Sequence, residues 1–349
     1  MRILTNTPAQ RPLPSLAKHP AFAAVHPKMD MESLIRNLSQ MQIQAFFEEN
    51  APVTQAQCNA EAVRITGESV HPTTVQGGCS YTVVNEGGSL VVQFRRSDSA
   101  LDLDFLQDIE QAYKCFVPHH ESVGKIDKIH IYRMNNVGGV AMYLARDQLH
   151  ANDCLLLRKT LQDYASSAWW NTPQTMKDTD RGELLQTYDA QLAVLERGLP
   201  SRFRQTLKQV RSRLPELFAE DWPMVPNHID LRENNIHVDT TSGSLVGICD
   251  WKETEVSPFG MSLGGFEAMR VTVGYTYLPN QQALRDVFWA AFKDLMQGYD
   301  DRVEVARIAG LFLDNGFQHD EHGNTVPAQE GTDDLIFLDA VILGNSSSQ

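Results

Sequence analysis

The sequence predicts an α+β protein of two lobes: a small, antiparallel β-rich amino-terminal lobe and a larger, mainly helical carboxy-terminal lobe. Three observations predict it. Between 73 and 96, "TTVQGGCSYTVVNEGGSLVVQFRR" places two β-branched runs around a Gly87-Gly88 pair, a hairpin signal. From about 142 onward, most apolar residues recur at helical spacing. The two textures meet at "NNVGG", 135–139, a short glycine-containing connector. A chain of 349 residues also exceeds what one small core usually holds.

The elements follow in order. In "MDMESLIRNLSQMQIQAFFEEN", Leu34, Ile35, Leu38, Met41 and Phe46 keep helical spacing, so a helix packs on the amino-terminal lobe. After the hairpin, "ALDLDFLQDIEQAYKCFVP" reads as a helix ending before Pro118, and "KIDKIHIYRM" as a further strand. Helices are expected at 142–149, at 155–167 and over a long stretch from about 183 to 213, with a hairpin at 236–250 interrupting the helical lobe. The expected domains are a tail at 1–28, a β-rich lobe at 29–134, a hinge at 135–141 and a helical lobe at 142–349. Small ligands commonly bind between two such lobes.

The tail carries Arg2, Arg11, Lys18 and Lys28 without an acidic residue, but its five prolines prevent the amphipathic helix of an organelle presequence, and it is expected to be disordered. The net charge of −14 argues against nucleic acid, whose binding draws on clustered Lys and Arg. It does not exclude a nucleotide, because a divalent ion can neutralise phosphates and carboxylates together. No apolar run approaches the roughly 18 residues of a membrane span. Cys58, Cys79, Cys115, Cys154 and Cys249 are scattered without CxxC spacing, which points to a reducing, cytoplasmic compartment. Oligomeric state leaves no signature in the sequence.

The stretch "NHIDLRENNIHVDTTSGSLVGICDW" carries the chemistry. Asp230 and Asn235 lie in a loop leading into the strand "NIHVD"; the turn "TTSGS" follows, and "LVGICD" returns as a second strand that delivers Asp250 beside the start of the hairpin. Hard Mg²⁺ takes a few protein oxygens and completes its octahedron with phosphate and water, so Asn235 and Asp250 are the candidate metal ligands. Asp230 is the candidate base for a hydroxyl nucleophile, and Arg232 the candidate contact for the phosphoryl group as charge builds on it. This is a layout for phosphoryl transfer to an alcohol.

With those residues in place, the chain resembles the aminoglycoside phosphotransferase-like family of the protein-kinase-like fold, whose signature reads roughly H-G-D-L-x-x-x-N-I/L, then a hairpin, then I-D-W/F. His228, Asp230, Leu231, Asn235, Ile236, Asp250 and Trp251 match it. Ile229 stands in place of the glycine, and Arg232 stands where protein kinases carry Lys or Arg. The segments "VVQFR", "DYASSAWW", "SPFGMSLGGFE" and "ARIAGLFL" look like those of filamentous-fungal members, and the likeness covers roughly 70–345.

The resemblance implies a bilobal kinase-like fold, ATP and Mg²⁺ as cofactors, a small-molecule acceptor and a structural role for His228 beneath the loop. It also implies that Gly77 and Gly78 bring backbone close to phosphates, since residues without a Cβ permit that approach, with Ser80 beside them among the cofactor-binding residues. The strand position where the family carries a cation is Gln93, which gives up a charge-assisted contact. Arg95 faces the same way on an alternating strand and is the candidate replacement, with a surface arginine at the strand end as the equal alternative. Asp104 fits the family's helical acid, with Asp108 and Glu110 also open; Met134 and Asn136 mark the segment expected to meet an adenine. Lys252, Glu253 and Glu255, with Trp169 and Trp170 in a helix-rich insertion, are candidates for an acceptor pocket wall, with surface charges and core tryptophans as the alternative. Three readings remain open: a Mg·ATP-dependent kinase, a kinase fold repurposed in secondary metabolism without phosphate transfer, and a pseudokinase binding module.

Overall fold

The computed structural model describes residues 31–167, 179–270, 277–296 and 301–344. The 1–28 tail, Trp169 and Trp170 therefore lie outside the described residues. The rest divides into two compact units: residues up to Leu101 with His120–Asn136, and Asp102–His119 with Val137 onward.

The first unit opens with α1 (Met31–Glu49) and α2 (Gln55–Thr66). The second of these begins at a capping box. The Thr54 hydroxyl accepts from the Gln57 amide while the Gln57 side chain accepts from the Thr54 amide, and left-handed Gly67 closes the other end. Five strands follow: β1 (Val70–Pro72), β2 (Ser80–Asn85), β3 (Leu90–Arg95), β4 (His120–Ile126) and β5 (Ile129–Asn135). They form one antiparallel sheet in the order β1-β2-β3-β5-β4. The β2–β3 hairpin turns at Gly88, φ +68°, in register Val83↔Val92 and Tyr81↔Phe94. That alternation sends Tyr81, Val83, Val92 and Phe94 to one face, where they meet Phe46, Cys58 and Ala62 of the two helices in a buried core. Full burial of each such large apolar side chain contributes roughly 1.5–3 kcal/mol.

The second unit is mainly helical. Its first helix is α3 (Leu103–Tyr113), which the sequence places with the β-rich lobe but which lies in this unit. Here its last residue fastens it to the helical unit: the Tyr113 hydroxyl donates to the Pro226 carbonyl at 2.6 Å, and its ring meets Trp251 at 4.6 Å between centroids. The connector ends in β6 (Val140–Ala141), reached through left-handed Gly138 and Gly139. At Gly139 a Cβ would stand 2.5 Å from the Val238 carbonyl, so glycine is required by both space and φ.

Next comes α4 (Arg146–Ser167), interrupted at Ala151–Cys154, where Asn152, Asp153 and Cys154 take positive φ. The long helix expected over 183–213 is two helices, α5 (Arg181–Gly198) and α6 (Arg204–Arg213). Pro200 accounts for the break, because it disfavours helical backbone at Leu199 and donates no hydrogen bond.

Four short strands then surround the catalytic candidates: β7 (Met224–His228), β8 (Ile236–Val238), β9 (Leu245–Ile248) and β10 (Thr254–Pro258). β6, β8 and β9 make a three-stranded sheet, and β7 pairs antiparallel with β10. The chain closes with α7 (Gln281–Met296), α8 (Arg302–Asn315), the β11 (Phe317–His319) and β12 (Thr325–Pro327) hairpin, and α9 (Asp333–Leu338). An antiparallel β-rich unit and a mainly helical unit are the α+β architecture the sequence predicts. Among the described residues, no helix is long and apolar enough to cross a membrane.

Candidate active site

Every residue of β7 is buried, and the strand ends at the head of the "HIDLRENN" loop. Asn227 anchors it: its amide nitrogen donates to the carbonyls of Ser257 and Pro258, each at 3.1 Å, and its oxygen accepts from the Ser262 amide at 3.1 Å. His228 is 1% exposed, donates from Nε2 to the Cys249 carbonyl at 2.8 Å and meets Trp251 edge-on. A carbonyl only accepts, so the ring carries its proton on Nε2. His228 thus ties the head of the loop to the end of the hairpin.

The loop folds back on its own backbone. The Asp230 carbonyl accepts from the Arg232 amide at 2.9 Å and from Asn235 Nδ2 at 2.8 Å, and the Arg232 carbonyl accepts from the Asn235 amide at 2.9 Å. The side chains follow. Arg232 Nε donates to Asp230 Oδ1 at 3.0 Å, and Asn235 Nδ2 lies 3.4 Å from Asp230 Oδ2. The Asp230 carboxylate is 43% exposed, so it is oriented from behind while its front reaches solvent. Asn235 Oδ1 accepts from Asn234 Nδ2 at 3.0 Å and keeps a second lone pair.

Asp250 enters from the other arm of the hairpin. Ile236↔Ile248 register and the Cys249 amide donating to the Asn235 carbonyl at 2.8 Å put Asp250 one residue beyond the position opposite Asn235. Its φ is +60°, a conformation that costs a non-glycine residue of order 1 kcal/mol and that aspartate tolerates better than most. Trp251, 2% exposed, holds the bend by donating from Nε1 to the Ile248 carbonyl at 2.7 Å. The turn between the strands is fixed by Asp239, whose Oδ1 accepts from the amides of Thr241 and Ser242 at 3.0 and 2.7 Å. These contacts hold the Asp239 carboxyl below its ordinary range, the Ser242 amide first among the causes.

Two residues outside the motif brace the loop. Glu233 is 7% exposed and its carboxylate takes a forked contact from Arg146, with Nε at 2.9 and 3.2 Å from its two oxygens. Burial raises the Glu233 pKa, and the Arg146 charge and hydrogen bonds oppose that. Asn315, the last residue of α8, accepts from Arg232 Nη2 at 2.8 Å.

The remaining candidates are distributed as follows. In the first unit, Gly77 and Gly78 precede β2, and neither has positive φ. Gln93 Nε2 donates to Thr82 Oγ1 at 3.2 Å and lies 3.4 Å from Ser80 Oγ, while its Oε1 accepts from Arg95 Nη1 at 2.9 Å. Arg95 is 5% exposed and donates from Nε to the Ser99 carbonyl at 2.9 Å, so it is a buried arginine directly beside Gln93 and not a surface one. Met134 is buried in β5, and Asn136 donates to the Gly88 carbonyl at 2.8 Å. In the second unit, Asp104 is exposed in the first turn of α3, and Glu110 pairs with His119.

A cavity of about 200 Å³ adjoins the loop, lined among others by Tyr188, His228, Ile229, Glu255 and Asp314, with no Lys or Arg in its wall. The Tyr188 hydroxyl donates to Glu255; burial first, and then that carboxylate, push its pKa above the ordinary phenol range. A second, smaller cavity shares Ile229 and Asp314 and adds Arg232 and Asn315. Lys252, placed on the acceptor side by the sequence, pairs with Glu253. Tyr188, Asp314, Arg146 and Asn315 lie far from the motif in sequence, and nothing in the local pattern marks them.

The donor set suits a hard cation: one amide oxygen and one carboxylate, Asn235 and Asp250, on adjacent positions of one hairpin. Among the described residues no group of three or more His, Cys, Asp or Glu forms a self-sufficient metal site. A metal held here would need further oxygens from a substrate or water.

No family model and no curated protein matches the chain. Among solved structures, it is similar to the aminoglycoside phosphotransferase APH(3'')-Id from Streptomyces rimosus, at 15% identity over 74% of this chain and 97% of that one, TM-score 0.47. The streptomycin-ATP ternary complex of APH(2'')-IIa aligns at 12% identity over 75% and 89% of the two chains, TM-score 0.47. A choline/ethanolamine kinase family protein from Mesorhizobium loti aligns at 12% identity over 74% and 83%, TM-score 0.49.

Proposed function

We propose that this chain is a Mg·ATP-dependent phosphotransferase acting on a hydroxyl of a small-molecule metabolite. The observation that carries the reading is the Asp230–Arg232–Asn235 cluster, joined by the Cys249–Asn235 backbone bond to Asp250. In this reading Asp230 accepts the proton of the acceptor hydroxyl as its oxygen bonds to the γ-phosphorus and the bond to the departing ADP oxygen breaks. Arg232 meets charge on the transferring phosphoryl oxygens. Asn235 and Asp250 would hold the Mg²⁺, which neutralises phosphate charge when bound.

For the nucleotide, the reading takes the Gly77-Gly78 turn, Ser80, Gln93 and Arg95 for the phosphates and Met134 with Asn136 for the base. Arg95 supports the charge that Gln93 lacks, because the two side chains are hydrogen-bonded. Asp104 stays the proposed helical acid, although Arg95 already has two acceptors within its own unit. The acceptor is placed in the cavity beside Ile229, where Glu255 and Asp314 without a basic neighbour in the wall suit an amine-bearing alcohol.

The test is ADP formation from Mg·ATP with a panel of amine-bearing and neutral alcohols. Acceptor-dependent ADP that Asp230→Asn removes supports the reading. Mg·ATP binding without ADP from any acceptor favours the second reading, a kinase fold that does not transfer phosphate, which the uncharged Gln93 favours.

A further inference from the structure

We propose that Asn315, the last residue of α8, is a positioning residue that aims Arg232 at the transferring phosphoryl group. This inference rests on the phosphotransferase reading and adds a residue no motif contains.

An arginine side chain has four rotatable bonds, and one hydrogen bond leaves its guanidinium plane free to swing. Arg232 has two anchors on different elements: Nε on Asp230 Oδ1 at 3.0 Å and Nη2 on Asn315 Oδ1 at 2.8 Å. Two anchors on one rigid fork fix its plane. Nη1 has no hydrogen bond among the described residues, and the side chain is 21% exposed. That leaves a donor for a phosphoryl oxygen.

Asn315 is itself immobilised. It is 3% exposed, and its Nδ2 donates to the Leu311 carbonyl at 3.1 Å. Since a carbonyl must be met by the N–H side, the amide oxygen faces Arg232. What orients the cation is an oxygen acceptor held at this place, and Arg232 keeps its charge beside it. Both residues line the smaller cavity together with Ile229, the neighbour of Asp230.

Asn315→Leu removes both side-chain bonds. Asn315→Asp also loses the Leu311 bond but keeps an oxygen for Arg232. A merely structural role would make the two variants alike; a positioning role separates them. The readout, which requires no known acceptor, is calorimetric binding of Mg·ADP with and without aluminium fluoride, a mimic of the transferring phosphoryl group.

The inference predicts unchanged Mg·ADP affinity in both variants. The extra affinity for the mimic should fall about tenfold or more in Asn315→Leu and within about threefold in Asn315→Asp. Arg232→Ala should lose it to a similar extent as Arg232→Ala/Asn315→Leu. Equal loss in Leu and Asp variants, or none in either, overturns the inference while the kinase reading stands. A wild-type protein that binds no Mg·ADP overturns that reading and the inference with it.

Discussion

Replacing Arg146 with Met should destabilise the helical unit and loosen the loop that carries Asp230. Glu233 is 7% exposed and receives Arg146 Nε at 2.9 and 3.2 Å, so removing the cation strands a buried carboxylate between Asp230 and Asn235. Breaking a fully buried pair costs about 3–5 kcal/mol, but the Arg146 side chain is 22% exposed, which lowers the expectation to about 2–3 kcal/mol. Glu233→Leu alone strands the better-hydrated partner and should cost about 1–2 kcal/mol. The double variant Arg146→Met/Glu233→Leu strands nothing, so it should be more stable than the sum of the singles by at least about 1 kcal/mol. Urea unfolding followed by tryptophan fluorescence gives all three values. Costs below about 0.5 kcal/mol for both singles, or strict additivity in the double, would refute the argument that this pair braces the loop.

Trp251→Ala removes a side chain that is 2% exposed and packs on both His228 and Tyr113, and should cost about 3–5 kcal/mol in the same unfolding assay. Gly139→Ala forces a Cβ to within 2.5 Å of the Val238 carbonyl at φ +61°, and should lower the melting temperature by calorimetry, with a cost above about 1 kcal/mol. Asp239 has its folded pKa below the ordinary 3.8, so its contribution is complete above that value and lost as pH falls through the folded one. Stability measured down the acid limb should therefore drop less steeply in Asp239→Asn than in the wild type.

The loop and hairpin were legible because their parts lie in one run: "HIDLRENN" ends β7, and the apolar strands either side of "TTSGS" fix the register that carries Asp250. Strand alternation likewise put Gln93 and Arg95 on one side, and they are bonded there. The burial of Arg95 was not legible, because it depends on the Ser99 carbonyl folding back over the strand. The α2 helix carries a readable start signal, Thr54 three residues before Gln57. The Arg146–Glu233 and Arg232–Asn315 contacts bridge 87 and 83 residues, and no local pattern encodes such a distance. Cavity walls such as Tyr188 and Asp314 arise in the same way, from helices that look like ordinary amphipathic helices until they are packed.

In the proposed reading, one loop and hairpin gather a base, Asp230, and the ligands of a single divalent ion, Asn235 and Asp250. Thermal unfolding with and without Mg·ATP tests it most directly. Saturation at a hundred times Kd should add about 2.7 kcal/mol to the stability of the wild type. Asp250→Asn, which keeps a residue tolerant of φ +60°, should fold and lose most of that gain, while Asp230→Asn should keep the gain and lose turnover. A wild type unmoved by millimolar Mg·ATP, or a gain that survives Asp250→Asn, would contradict the account.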